Sequence, residues 1–437
     1  MSESSGSTLR RITALALPAL VVLAAEPLYV LVDTAVVGHL GPVPLAALTI
    51  GGTLMTIAAW LGNVLAYGTT SRAARRFGAD DRAAAVAEGV QASWLALTVG
   101  VALTIIAMLA AGPVTALMAG GKPEVATAAA SWLRIAALGI PGLLLATAGN
   151  GWLRGVQDFR RPLRYVLGAN LLSAVLCPIL VYPVGWGLEG SAVANVTAQT
   201  LAGALFVRAL IRERVPLAPQ AAVIRRQLAV GRDLLIRGGA MHLCFLSAAA
   251  VAARFGVATL GAHQIALQLW FFCALALDAV AIAAQALVGA ALGGGREAEA
   301  RALALRITGY GLAGGALFAL VIGLGSGFLP GLFTNDPQVR AEAMVAWPWF
   351  VALLPVAGVV YALDGVLIGA GDMRYLRNLT LIATLGAFLP AIWLAYALQL
   401  GLAGIWSGLT LFIAVRLFAQ LDRLRTGRWI VLGAVRT

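Results

Sequence analysis

The sequence predicts an all-α integral membrane protein with twelve transmembrane helices, arranged as two parallel six-helix repeats around a central cavity. Three observations predict it. Hydrophobic residues make up 61% of the 437 positions and charged ones only 11%, against about 25% charged in soluble domains. The apolar residues fall into long runs separated by Gly, Pro or Arg clusters. The two halves also repeat each other at a nearly constant spacing.

The first six spans are read at about 12–37, 45–69, 90–111, 126–148, 163–183 and 190–210. The second six are read at about 234–255, 260–292, 302–329, 343–368, 376–398 and 401–420. Each is long enough to cross a hydrocarbon core of roughly 30 Å, and the eighth is long enough to project beyond it or tilt. The expected organisation is an N-terminal lobe over 1–211, a basic linker over 212–233, a C-terminal lobe over 234–421 and a tail over 422–437.

The repeat is legible residue by residue. At a spacing of 214, Gly151, Gly155, Asp158, Arg160 and Tyr182 fall on Gly365, Gly369, Asp372, Arg374 and Tyr396. At 215, Gly41, Leu45, Ala47 and Gly78 fall on Gly256, Leu260, Ala262 and Gly293. Six spans is an even number, so both halves enter from the same side and form parallel repeats. All of the 31 basic residues except Lys122, Arg134, Arg254 and Arg340 mark alternate connections. The positive-inside bias then places both termini and the linker in the cytoplasm, and Asp33 toward the outer leaflet.

The first span carries the candidate chemistry. Glu26 and Asp33 stand seven residues apart inside an apolar run, about two helical turns, and so share a face. A carboxylate at mid-bilayer costs about 2.5–3.5 kcal/mol and is normally turned inward, paired or protonated. Pro27 between them, and Pro18 before them, remove backbone hydrogen bonds and make natural places to bend. A bendable helix with a protonatable pair on one face reads as a moving ion site. Asp33 falls on Ala248 in the repeat, and Asn63 falls on Asp278, so each half carries its own buried acid on a shared scaffold. Tyr29, Asn63, Asn170, Tyr182, His263, Gln264 and Trp270 are further candidates for lining a cavity.

Several function classes are excluded. The net charge of +12 is distributed as short clusters between apolar runs, without the interleaved aromatics of a nucleic-acid surface. Gly293-Gly294-Gly295 lacks the Lys-Ser or Lys-Thr of a phosphate loop. His39, His242 and His263 form no HExxH-like motif, so neither an ATPase nor a metalloenzyme is expected. Cys177, Cys244 and Cys273 read as small hydrophobes.

The run Pro27 to Gly41, with Asp33, Gly38 and His39, resembles the first-helix signature of multidrug and toxin extrusion (MATE) transporters, most closely the DNA-damage-inducible-F branch. Leu260 to Ile265, and Asp278 to Gly295, are similar to that branch's eighth helix. Leu153-Arg154-Gly155 and Gly369 to Asp372 match its turns after the fourth and tenth helices. The resemblance covers essentially the whole chain. It implies a bacterial inner-membrane antiporter in which ion entry drives export of cationic, amphipathic or lipophilic compounds, with no cofactor beyond a proton or sodium gradient. The partners it implies are the bilayer, small-molecule substrates and H+ or Na+; a monomer is expected. It also implies that Asp33 binds the coupling proton, that Pro27 supplies the bend and that Asp278 is a buried acid of the second lobe. Where some relatives carry an Asn and an Asp on the fifth helix, this chain has Ser173 and Cys177, and Glu26 is the substitute carboxylate. A lipid-linked precursor flippase of the same superfamily and a sodium-coupled drug antiporter are the alternatives. The flippase would need a cluster of buried Arg, of which the spans offer almost none.

Overall fold

The computed structural model describes residues 5–435, with side chains from Leu9 onward. Every regular element among the described residues is helical. The described chain divides into two compact units, one formed by 17–231 and the other by 232–435 together with 5–16.

α1 (Ser5–Gly38) runs as a single helix through Pro18 and Pro27 and belongs to the first unit from Leu17 onward. α2 (Pro42–Gly78) and α3 (Arg82–Met118) follow, then α4 (Pro123–Ala137), α5 (Ile140–Gly155), α6 (Arg160–Val181) and α7 (Gly187–Arg212). The expected single fourth span is broken, because α4 and α5 meet at 48°. Gly139 and Pro141 are the reason: Pro141 has no N–H to continue the helix and its ring crowds the turn before it.

α8 (Ala221–Phe255) belongs to the second unit from Arg232 onward, and α9 (Val257–Gly293), α10 (Glu297–Leu324) and the short α11 (Leu329–Phe333) follow it there. α12 (Pro337–Gly369), α13 (Met373–Leu381), α14 (Leu389–Ala397) and α15 (Gly401–Thr426) complete it. Between α13 and α14 the residues Ile382–Phe388 form a π-helix, so this span is continuous but locally wide. Eleven helices or helix runs are long and apolar enough to cross a membrane, and the bent α4–α5 pair makes twelve. α9 and α12 are interior, with 67% of their most apolar stretch buried.

Local chemistry explains the starts. Asp81 caps α3 by accepting from Ala84 N at 2.9 Å, and Asp336 caps α12 by accepting from Gln338 N at 2.8 Å. Gly41 and Gly256, repeat partners, precede α2 and α9 with φ of 120° and 135°, a conformation open to glycine and costly for other residues.

Two boundaries differ from the sequence reading. The polar stretch 212–233 is only partly a linker, because α8 already starts at Ala221. A row of apolar Ala, Val, Ile and Leu positions among its arginines lets helix continue there. The extended part, 214–220, is pinned to α3: Gln91 bonds Ala218 O at 3.0 Å and Gln220 N at 2.6 Å, and Trp94 Nε1 donates to Leu217 O at 2.8 Å. Nor is the expected tail free over its described part, 422–435. α15 continues to Thr426, Trp429 is fully buried, and Gly433 N donates to Leu292 O at 3.0 Å.

Candidate functional site

The first unit encloses a cavity of about 320 Å³, and α1 supplies its chemistry. Seven residues of separation bring Glu26 and Asp33 onto the same wall, with Tyr29, Val30 and Thr34 between and beside them. Asp33 is 5% exposed. Its Oδ1 accepts from the Cys177 thiol at 3.1 Å, and the Ser191 hydroxyl lies near the carboxylate. Ser191 is held in turn by Trp132, whose Nε1 donates to it at 3.1 Å. A carboxylate buried this deeply without a cation is costly, and the thiol donor offsets part of that cost.

Glu26 stands differently. Its side chain is exposed, opens into the cavity and makes no hydrogen bond or ion pair among the described residues. Tyr29 is buried next to Ser173 and Asn195, yet its hydroxyl reaches neither in good geometry, and the Ser173 hydroxyl is also unpartnered. Buried polar groups are nearly always satisfied, so spare capacity here suits water, an ion or a polar ligand.

α2 forms the facing wall. Thr49, Thr53 and Thr56 each donate to the carbonyl four residues back, at 2.9, 2.8 and 3.0 Å. Their protons are therefore used inside the helix, and the oxygen lone pairs remain for the cavity. α7 contributes Asn195 and Gln199 one turn apart. The walls thus present carboxylates and oxygen acceptors, an arrangement that attracts cations and hydrogen-bond donors.

The other sequence candidates are dispersed. Asn63 is exposed and Asn170 half-buried, and neither lines this cavity. Tyr182 is exposed, and its hydroxyl donates to Val36 O at 2.6 Å, tying α6 to the end of α1. His263 is sealed in the second unit against Trp406, with neither ring nitrogen partnered. Gln264 is exposed, Trp270 lines a separate cavity of the second unit, and Asp278 is half-buried beside Tyr361. Pro27 follows Glu26 on the cavity helix, and Pro18 lies nine residues earlier in the same helix.

Sequence reading missed the stripe Ser191, Asn195 and Gln199, although spacing of four in an apolar span marks a polar helix face. Thr49, Thr53 and Thr56 carry a similar signal. Cys177 is not merely a small hydrophobe, since its thiol donates to Asp33. Buried arginines are also more numerous than expected: Arg75, Arg154 and Arg416 are each at most 5% exposed. Arg75 and Arg154 lie in the last turns of their helices, and Arg416 sits where an apolar helix face hid it.

A family model described as MatE matches residues 18–179 and 240–394. The chain is 33% identical over 440 residues to Protein DETOXIFICATION 44, chloroplastic, of Arabidopsis thaliana, covering 96% of this chain and 83% of that protein. It is 33% identical over 418 residues to DNA damage-inducible protein F of Escherichia coli (strain K12), covering 92% and 89%. A solved structure described as MATE in the bent conformation shares the fold, with a TM-score of 0.87 at 23% identity over 98% and 97% of the two chains.

Proposed function

The chain belongs to the MatE family, and from that premise we propose that it is a proton-coupled efflux antiporter of cationic or amphipathic compounds, working through the cavity around Asp33. We place it in a bacterial inner membrane with both termini in the cytoplasm, as a monomer whose two lobes give alternating access to the two sides. The observation that carries the reading is a buried carboxylate with weak, uncharged partners in the wall of an acceptor-lined cavity. Among the described residues no arginine or lysine lines that cavity. Its charge is therefore neutralised by a proton or by a cationic ligand, and the two exclude each other. Proton entry from outside displaces the substrate, and proton loss toward the cytoplasm restores the site. Glu26, open to the same cavity, serves as an entry group for either cation. Pro27 leaves the Leu23 carbonyl without its N–H partner, and this gives α1 a place to change shape between the two states.

The test is transport in liposomes with an interior pH dye, a lipophilic cation and an imposed proton or sodium gradient. Substrate-dependent proton movement that disappears in Asp33→Asn is the expected result. Normal export by that variant with the gradient intact overturns the role of Asp33. Flux driven by sodium alone replaces the coupling ion, and the oxygen ligands Asp33 and Thr34 make that the specific alternative. No ion flux, with translocation of a fluorescent lipid instead, supports a flippase.

A further inference from the structure

Two carboxylates share one wall of the 320 Å³ cavity, and the helix that carries them fixes their spacing. Glu26 and Asp33 are seven residues apart on α1. At about 1.5 Å of rise per residue, this sets them about 10 Å apart along the axis. Seven residues also fall only about 20° short of two full turns, so both side chains start from the same face. α1 stays helical between them, Pro27 included, and the separation is therefore built into the fold.

Among the described residues no basic side chain in the wall answers either charge. A monovalent cation can satisfy one carboxylate at a time, and the other is left as an uncompensated charge or takes up a proton. The surface between the two acids is of another kind. Val30 stands between them on α1, and Leu48, Met55 and Leu143 add apolar wall. Thr53 and Thr56 on α2 add oxygen lone pairs, since their protons are spent on Thr49 O and Gly52 O. A ligand therefore meets negative charge at two points about two helical turns apart, with apolar surface and acceptors in between.

We propose that this cavity is built for a linear dication, an α,ω-diammonium compound with one charged end on Asp33, the other on Glu26 and its methylene chain along Val30 and Leu143. The proposal rests on the reading of the cavity as a cation site and narrows its substrate class. Each ammonium carries three N–H donors, so a carboxylate and a threonine oxygen can both accept from it. Each pairing is a charge-assisted bond in a partly dry site, and a compound of the right length makes two of them at once. Selection is then by charge spacing as well as by lipophilicity.

Equilibrium binding to the full chain in zwitterionic nanodiscs, corrected with empty nanodiscs, tests it. Radiolabelled α,ω-diaminoalkanes are compared with n-alkylamines of the same chain length at about pH 8, where both are charged. Comparison at equal length largely cancels the contribution of the methylenes. Wild type is expected to bind 1,8-diaminooctane at least about tenfold more tightly than octylamine, the scale of one further charged hydrogen bond. 1,3-Diaminopropane is too short to reach both acids and is expected to show no such gain over propylamine. Glu26→Gln is expected to bring the octane ratio to about one, with octylamine binding still measurable as the sign of a folded variant. An advantage of the same size at every length, or none at any length, overturns the dication site from wild type alone. So does an advantage that survives Glu26→Gln. In each of these cases octylamine binding that is lost in Asp33→Asn leaves the Asp33 reading standing. Octylamine binding that persists in Asp33→Asn, or a wild type that binds neither compound, overturns both.

Discussion

At the end of α7, Glu213 accepts from Arg82 at 2.9 Å and from Arg161 at 3.2 Å. Partial burial alone would push its carboxyl up, but the bonds and charges of Arg82 and then Arg161 outweigh this and hold it below the usual range. The sign follows: a depressed folded pKa gives stability that is present above the unfolded value and is lost as pH falls through the folded one. Melting temperatures of wild type and Glu213→Gln, compared between about pH 3 and pH 7, are expected to differ at neutral pH and converge below the ordinary Glu value of about 4.3. A constant difference across that range would mean that Glu213 acts by packing. Asp33 is a different case, because its donor is a thiol and no cation pairs with it among the described residues. Cys177→Ala removes that donor and Ser191→Ala a hydroxyl beside the carboxylate, and each is expected to shift the pH profile of transport while leaving transport detectable. Profiles that superimpose on wild type would remove both residues from the site. Asp33 was legible because a carboxylate in an apolar run stands out. Cys177 was not, since a cysteine in such a run has the composition of core until its partner is seen.

Pairs of helices are set by glycines that the duplication preserved. A Cβ at Gly151 would meet the Ala66 carbonyl of α2, and one at its repeat partner Gly365 would meet the Ala281 carbonyl of α9. Ala66 and Ala281 are themselves repeat partners at a spacing of 215, so the same crossing was built twice. Gly151→Ala and Gly365→Ala are each expected to cost about 1–3 kcal/mol, since the obstacle is backbone rather than a movable side chain. Gly309→Ala in α10, where a Cβ meets nothing within 4 Å, is expected to be neutral or to stabilise by up to about 1 kcal/mol. Thermal unfolding of the three variants checks the contrast; equal losses would mean that the crossings are not close enough to matter. The helix breaks follow another logic. Gly139 and Pro141 split the fourth span into α4 and α5, whereas Pro18 and Pro27 leave α1 helical. Hydropathy averages over both cases, so the sequence announces a weak point without saying whether the helix yields there. Pro27→Ala supplies the missing N–H to Leu23 O. It is expected to raise thermal stability and slow transport, and a variant with wild-type transport would deny α1 its hinge.

For the whole chain, the span count was legible because each apolar run exceeds bilayer thickness, and the repeat was legible because turn glycines and Gly-Asp corners survive when apolar residues interchange freely. The cavity walls were harder to read. Ser191, Asn195 and Gln199 lie far along the chain from Asp33 and from the α2 threonines, and only tertiary packing brings these faces together. The ends of the membrane-crossing elements were harder still, since polar residues extend α8 and α15 beyond their apolar cores and Trp429 folds back into the second unit. Orientation is a property of the whole chain and can be measured directly. Loops carrying Arg82, Arg160 and Arg296 alternate with loops carrying Lys122 and Trp186, and the positive-inside bias puts the first set in the cytoplasm. The three native cysteines are all buried, so the wild-type chain offers a low background to a thiol reagent. Single cysteines at Lys122 and Arg296 sit in exposed connections on opposite sides of the predicted membrane plane. In intact cells an impermeant maleimide is expected to label Lys122→Cys, and to label Arg296→Cys only after permeabilisation. The reverse pattern would invert the protein, turn the Asp33 end of α1 toward the cytoplasm, and reverse the direction in which a proton gradient drives release from its cavity.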